Sequence, residues 1–255
     1  MLFDKQEIKG DIPINKSHVL FFSCDPTYWA EHGQYLAKST LSLNKQNHIH
    51  VHVHMIYEYD QTHKLKNLID DENITYTYEI HDKDFYDQFT LAKDHPMFGR
   101  GPEICHTKTD VELKRKIYLS SARFFYFDKF FERNQHVLQL DTDGLARERV
   151  PLKEFEEITT VPAAMRKPKD PSVYIASCVT PGIGDLGDKF KKELSSSMIE
   201  AFKKPIYWFV DQHTKSESSL PYIDLAGNPG TYLFLNKTID FPYYGSWLDN
   251  TSTVR

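Results

Sequence analysis

His18-Val19-Leu20-Phe21-Phe22-Ser23-Cys24 is a run of apolar and small residues with no glycine or proline inside it. A run of this length and composition reads as a strand buried on both faces. Residues from about Thr27 to Leu43 carry helical spacing, and His48 to Ile56 alternates with the period of a strand. Strand, helix and strand in that order make a β-α-β opening, which points to an α/β fold.

The same alternation continues downstream. Gln61 to Ile69 predicts a further helix and Ile74 to Ile80 a third strand, whereas the pattern weakens from Asp82 to Pro102, where Gly99-Arg100-Gly101-Pro102 marks a loop. Asp110 to Arg133 contains no Gly or Pro and predicts a long helix with Asp110 as its N-cap. It leads into Val137-Leu138-Gln139-Leu140, another strand. Arg147-Glu148-Arg149-Val150-Pro151 reads as a surface connection, Val173 to Cys178 as a strand and Asp188 to Lys203 as an amphipathic helix. Tyr207-Trp208-Phe209-Val210 is an apolar run that ends in Asp211-Gln212. With no internal repeat, low-complexity tract or linker, the expectation is one α/β domain over residues 1–255.

At 255 residues, with 40% hydrophobic and 26% charged content, the chain has the composition of an ordinary globular protein. Its formal net charge of −5 and the lack of a dense Lys/Arg block speak against nucleic acid or an anionic membrane surface as partner. Met1-Leu2-Phe3-Asp4-Lys5-Gln6-Glu7 has neither a basic segment nor an apolar core, and nowhere do about 18 apolar residues run together. The expectation is a cytoplasmic protein with no integral membrane segment. Cys24, Cys105 and Cys178 are odd in number and widely spaced, so they predict neither a disulfide framework nor a zinc ribbon, and each reads as a small buried apolar residue.

The chemistry concentrates where the strand ending at Leu140 gives way to Asp141-Thr142-Asp143-Gly144. Residues i and i+2 of an extended backbone point the same way, so the two carboxylates can converge on one hard cation such as Mg²⁺ or Mn²⁺. A phosphate-bearing ligand is the natural partner of such an ion. Arg123 sits among aromatic and apolar residues of the preceding helix, and a buried arginine needs a partner: either these carboxylates or a bound phosphate, or else it snorkels to solvent. His48, His50, His52 and His54 fall on one strand face. Same-face neighbours stand about 6.5 Å apart, so neutral histidines paired with neighbouring elements are the expectation rather than a metal stack. Thr180-Pro181-Gly182-Ile183-Gly184-Asp185-Leu186-Gly187 reads as a flexible turn before a helix, with an anion cradle as the competing reading. Asp211-Gln212-His213 is placed to offer polar groups at the rim of a cleft.

Taken in order, these pieces resemble the retaining GT-A-type glycosyltransferases of the glycogenin and lipopolysaccharide galactosyltransferase group, which is glycosyltransferase family 8. The opening Val19-Leu20-Phe21-Phe22-Ser23-Cys24-Asp25-Pro26-Thr27-Tyr28, the helix with Ala37-Lys38-Ser39-Thr40-Leu41 and the His-bearing strand look like that family's nucleotide-binding start. The block from Tyr118 to Val150, with Ala122-Arg123 followed by Asp141-Thr142-Asp143, is similar to its Ala-Arg helix and Asp-x-Asp motif. The resemblance implies a GT-A-like (Rossmann-like) domain with a central mixed sheet flanked by helices, its core at about 18–212 and a divergent C-terminal segment at 213–255. It implies that Asp25 binds the nucleotide base and Tyr28 stacks near it, that Asp141 and Asp143 hold Mn²⁺ or Mg²⁺ on the donor diphosphate with Thr142 between them, and that Arg123, Asp211 and Gln212 face the donor sugar. Two segments depart from the family. Tyr174-Ile175-Ala176-Ser177-Cys178-Val179-Thr180-Pro181-Gly182 replaces its Asn-Ser/Ala-Gly stretch, and Phe241-Pro242-Tyr243-Tyr244-Gly245-Ser246-Trp247 lacks the histidine that supplies a third metal ligand, for which His213 is a substitute candidate.

The expected activity is transfer of a hexose from a nucleotide diphosphate sugar, a UDP-sugar, to a glycan or other small acceptor. Two other readings compete. Leu140-Asp141-Thr142-Asp143-Gly144 also resembles the opening of haloacid-dehalogenase phosphohydrolases, with Asp141 as nucleophile, although that motif normally begins its domain. The altered segments also fit a noncatalytic sugar-nucleotide or glycan-binding module on the same fold.

Overall fold

The computed structural model describes residues 7–95, 109–160, 163–165, 179–208, 210–211, 214 and 248–250. The chain opens with β1 (Lys9–Gly10) and β2 (His18–Cys24). Next, α1 (Pro26–Tyr28), a π-helical turn (Trp29–Gly33) and α2 (Gln34–Leu43) form one helical run that leads to β3 (His50–Glu58). A 3₁₀ helix (Tyr59–Asn67) connects to β4 (Ile74–His81), and a 3₁₀ turn (Phe85–Gln88) follows. Then α3 (Asp110–Phe125) and α4 (Phe127–Phe130) precede β5 (His136–Gln139). The remainder comprises β6 (Gly144–Ala146), α5 (Leu152–Ile158), β7 (Ala163–Met165), β8 (Val179–Pro181), α6 (Gly184–Phe202) and β9 (Leu248–Asn250).

The central sheet runs β1-β4-β3-β2-β5. Strands β2, β3, β4 and β5 are parallel neighbours and β1 joins β4 antiparallel, which makes the mixed α/β sheet flanked by helices that the sequence predicts. Both faces of β2 are covered. On one side Phe21 packs against Phe127, Phe130 and Phe131, and Val19 and Phe21 belong to a core cluster that also holds Phe190 and Phe202 of α6. Leu20, Phe22 and Cys24 pack on the other against Trp29, Leu36, Ala37 and Phe155. Each large apolar side chain fully buried contributes about 1.5–3 kcal/mol, so β2 anchors the sheet while the exposed two-residue β1 adds little. Among the described residues no helix is long and apolar enough to cross a membrane.

Several predicted boundaries move for local physical reasons. The segment expected as a helix over Gln61 to Ile69 is instead a 3₁₀ helix over Tyr59–Asn67, with Leu65, Leu68 and Ile69 packed against the core. The N-cap of α3 is Thr109 rather than Asp110: its hydroxyl accepts from the Glu112 amide while the Glu112 carboxylate accepts from the Thr109 amide, a reciprocal capping box. The helix predicted to run to Arg133 breaks at Tyr126, which leaves helical geometry at φ −125°. Helix α6 begins at Gly184, four residues before the predicted Asp188, because Gly184 adopts φ +79°. Within that turn a Cβ on Gly187 would lie 1.7 Å from the Gly182 carbonyl oxygen, so close backbone approach is the role of this glycine. His48 sits off the strand with φ +52°, so the histidine face has three members. Val173 to Cys178, Gly99 to Pro102, Cys105 and Cys178 lie outside the described residues.

The three histidines form a polar ladder inside the aromatic layer. Thr75 Oγ1 lies 2.9 Å from both His50 Nε2 and His52 Nδ1, and Thr77 Oγ1 lies 3.2 Å from His52 Nε2 and 3.0 Å from His54 Nδ1. Four of their six ring nitrogens are thus engaged by hydroxyls of the adjacent strand rather than by one another. At the end of the ladder Glu79, fully buried, accepts from Tyr118 Oη at 2.8 Å and from Tyr126 Oη at 3.1 Å. His54 Nε2 and His81 Nε2 point at its two oxygens from 3.6 and 3.4 Å. Burial by itself raises this carboxyl, but the two histidines outweigh burial and hold it at about 2. Burial also pushes the His52 imidazole well below its ordinary value and lowers His50 to about 4.

The signs of these shifts agree. The unfolded chain binds protons at His50 and His52 that the folded chain refuses, so their contribution is complete above pH 6.5 and is lost as pH falls through the folded values. Glu79 adds a second loss below pH 4.5. The urea midpoint should therefore fall steadily from about pH 7 to pH 4, and His52→Gln should reduce proton uptake on unfolding near pH 5 by about one. An unchanged slope in that variant would assign the acid sensitivity elsewhere.

Candidate functional site

Strand β2 has β3 on one side and β5 on the other, so the chain leaves its carboxyl end toward one half of the sheet and returns beside it from the other half. A crevice opens at such a switch point, beyond the carboxyl ends of the parallel strands. Here it is a cavity of ≈ 350 Å³ whose wall includes Asp25 after β2 and Asp141, Thr142 and Asp143 after β5. Tyr28 and Arg123 also line it. Residues predicted from three separate segments of sequence thus share one space.

The Asp-x-Asp segment is not a continuation of extended strand: after β5 the chain turns at Thr142 and Asp143 before entering β6. Asp141 and Asp143 both face the cavity, while the intervening Thr142 is buried and donates its hydroxyl to the Ser23 carbonyl at 2.8 Å. That bond ties the end of β5 to the end of β2. The segment then runs directly into β6, which pairs antiparallel with β9, so Leu145 stands opposite Asp249 in the C-terminal segment. Ala146 N donates to Ser39 Oγ at 3.0 Å, which fixes the same strand to α2.

Helix α3 divides its two faces between core and cavity. Leu113, Ile117, Tyr118, Ala122 and Phe125 are buried in the aromatic layer. Arg115, Lys116, Leu119, Ser120 and Arg123, at intervals of three and four, line the cavity. The buried Arg123 places Nη1 2.5 Å from Asp141 Oδ1, so this arginine is paired with a carboxylate rather than snorkelling to solvent. Arg115 lies 2.8 Å from Asp25 and 2.5 Å from Glu58 at the end of β3. Sequence reasoning missed Arg115, yet the signal was present: it precedes Arg123 by eight residues on one helix and so lies on the same face.

Asp25 has two structural duties. It caps α1, accepting from the Tyr28 amide at 2.7 Å through Oδ1, and it meets Arg115 through Oδ2. Burial pushes the Tyr28 phenol up, with Asp143 and Asp141 adding to the effect, so the hydroxyl stays protonated as a donor beside the two carboxylates. Cys24 lines the cavity too, but burial, followed by Asp25, raises its thiol well above the usual value and makes it a poor nucleophile. Ser23, buried, also lines the cavity, and its hydroxyl has no hydrogen-bond partner among the described residues. Trp208 forms part of the wall; Asp211, three residues later, is buried and is not among the wall residues described, and Gln212 and His213 lie outside the described residues.

No protein-family model matches this chain, and no curated protein matches it. Among solved structures it is similar to the galactosyltransferase LgtC in complex with donor and acceptor sugar analogues, at 16% identity and a TM-score of 0.45, covering 78% of this chain and 70% of that one. It is similar to the apo form of the glycosyltransferase GlyE of Streptococcus pneumoniae TIGR4 at 12% identity and a TM-score of 0.47, over 92% of this chain and 54% of that one. It is also similar to apo mouse xyloside xylosyltransferase 1, at 12% identity and a TM-score of 0.39, over 81% and 83% of the two chains.

The approach of the first helical run to the site depends on Gly33. A Cβ at this position would lie 2.9 Å from the Trp29 ring, 3.0 Å from Thr142 Cγ2 and 3.3 Å from the Phe22 ring. Gly33→Ala should therefore cost about 1–2 kcal/mol in urea unfolding, overpacking exceeding the gain in helix propensity, and should weaken any ligand bound between Asp141 and Asp143. Wild-type stability with unaltered ligand binding would show that Thr142 tolerates displacement.

Proposed function

We propose that this protein is a glycosyltransferase that moves a hexose from a nucleotide diphosphate sugar, a UDP-sugar, to a glycan or other small acceptor. The observation that carries the reading is the convergence of Asp25, Tyr28, Arg123, Asp141 and Asp143 on one cavity at the switch point of the sheet. The family resemblance of the same residues supports it, and with it comes the expectation of retained anomeric configuration.

The charge balance of the cavity supports a metal-dependent donor. Its wall carries three carboxylates, Asp25, Asp141 and Asp143, against three cationic side chains, Arg115, Lys116 and Arg123. A doubly anionic diphosphate linkage entering this balanced space calls for an added divalent charge. Two carboxylates one residue apart, both facing the cavity, are the hard oxygen donors that Mg²⁺ or Mn²⁺ selects. Asp141 and Asp143 would hold the ion, which when bound would offset the charge that builds on the leaving diphosphate.

The protein's own groups divide the remaining work. Arg123 orients Asp141 and places positive charge beside the diphosphate position. Tyr28, partly exposed at the rim, offers a ring for the nucleotide base to stack on. Asp25 keeps acceptor capacity beyond its bonds to Tyr28 and Arg115, since a carboxylate has about four lone-pair sites. Asp211 and Gln212 are assigned to the sugar side by the resemblance. The Arg123 contact weighs against the phosphohydrolase reading, because a charge-paired Asp141 is a weaker nucleophile.

Calorimetric titration of UDP and GDP, with and without Mn²⁺, tests the assignment. UDP should bind in a Mn²⁺-dependent way, and Asp143→Ala should weaken that binding at least about tenfold, a change of roughly 1.4 kcal/mol or more. Failure of both nucleotides to bind, or unchanged UDP affinity in Asp143→Ala, would sink it. Manganese-dependent UDP binding without release of UDP from any donor would instead identify a binding module.

A further inference from the structure

At the amino ends of β2 and β5, opposite the cavity, His18, His136 and Glu156 come together with ligand-type atoms all within 4.8 Å of one another. His18 begins β2 and His136 begins β5, and the two are direct partners in the parallel register. Their rings stack with centroids 4.8 Å apart and planes within 9°. Glu156 reaches in from α5 to place Oε1 2.9 Å from His18 Nε2. The catalytic candidates lie at the other ends of these strands, with Asp141 five residue steps beyond His136, roughly 16 Å along the strand.

We infer that His18, His136 and Glu156 form a binding site for a borderline transition-metal ion of the Zn²⁺ class, separate from the cavity and clipping α5 to the amino-terminal edge of the sheet. The bonds around the rings engage Nδ1 of both histidines, and His18 Nε2 is met by Glu156, itself one of the three proposed ligands. Thr159, fully buried, lies 2.9 Å from the Glu156 carbonyl oxygen and donates its single hydroxyl hydrogen there. Toward His136 Nδ1, 2.5 Å away, it therefore acts as acceptor. With the Thr159 hydrogen on the Glu156 carbonyl, the matching His136 tautomer has its proton on Nδ1 and a lone pair on Nε2, the form a metal requires. On His18, Nδ1 lies 2.9 Å from Ser17 Oγ, a hydroxyl able to accept once Nε2 turns from Glu156 to an ion.

The donor set and its mobility suit this ion. Two imidazoles and one carboxylate match the three-protein-ligand zinc sites whose remaining position holds water. Imidazole nitrogen favours Zn²⁺ over Mg²⁺ and Mn²⁺, so the two sites select different metals. Ligands about 2.0–2.1 Å from zinc stand about 3.3 Å apart in a tetrahedron, closer than the 4.8 Å limit seen here. The Glu156 side chain, 52% exposed, is free to swing and close that gap, while the His18 side chain, 12% exposed, is held in place. The competing account is a stacked histidine pair with a plain His18–Glu156 ion pair and no affinity for metal.

The test uses the full chain stripped of metal, with excess Mg²⁺ to saturate hard-ion sites. One equivalent of Zn²⁺ should bind to wild type and equally to Asp143→Ala, and at about 100 times Kd should raise Tm by about 5–10 °C. Co²⁺ at the site should give the intense visible absorption of four-coordinate geometry. Glu156→Gln, on an exposed side chain that leaves the fold intact, should weaken Zn²⁺ at least about tenfold, and His136→Gln should abolish the cobalt spectrum. Absence of a zinc-dependent Tm shift in wild type, a weak octahedral cobalt spectrum, or affinity unchanged in both variants would overturn the site in favour of the metal-free pair. Because UDP binding does not enter these readouts, the outcome is independent of the proposed transferase activity.

Discussion

Strand β2 must be buried on both faces and hydrogen-bonded in parallel along both edges, and the rest of the molecule follows from that constraint. A parallel neighbour requires a crossover, and with β3 on one edge and β5 on the other the two connections leave in different directions. The backbone beyond Cys24 and beyond Leu140 therefore cannot be covered by either crossover. What fills the opening are the side chains at the strand ends. The Thr142–Ser23 bond then holds those two ends at a fixed separation, so the carboxylates on either side of Thr142 project from a braced rather than a free loop.

Helix α3 connects the core to the site because it has obligations on both faces. Its apolar face is committed to a layer of Phe and Tyr rings, and its cationic face is committed to carboxylates at the ends of β2, β3 and β5. Neither set of contacts can rotate without breaking the other. Within the aromatic layer, Glu79 is tolerated as a buried anion because two phenols and two imidazoles surround it; an isolated carboxylate there would cost several kcal/mol. The same physics that makes the layer specific also makes it sensitive to acid.

The sequence was most legible where periodicity and burial coincide. Strands β2, β4 and β5 and helix α2 lie close to where their apolar patterns place them, because each pattern reports the face that tertiary packing later covers. It was least legible at helix boundaries. Thr109 rather than Asp110 caps α3, since the choice turns on a reciprocal bond with Glu112, and α3 stops at Tyr126 although nothing in the residue types from Asp110 to Arg133 forbids continuation. Arg123 was recognisable as a buried cation in need of a partner, but Asp141 as that partner depended on a contact across eighteen positions. Helical spacing puts Arg115, Lys116 and Ser120 near Arg123 on α3, but that they share its cavity is decided only once α3 is docked.

By itself the sequence determined the α/β alternation, the carboxylate pair after a buried strand, and a net charge of −5 with no dense Lys/Arg block, because these are local properties of residue type and spacing. Tertiary structure alone decided which strand ends meet, that Asp25 is shared between a helix cap and Arg115, and that the strand histidines bond to threonines while His18 and His136, 118 positions apart, stack beside Glu156. The physical reason is that parallel pairing joins segments far apart in the chain. Register across such pairs depends on the burial of both partners together, and that information is held by neither segment read alone.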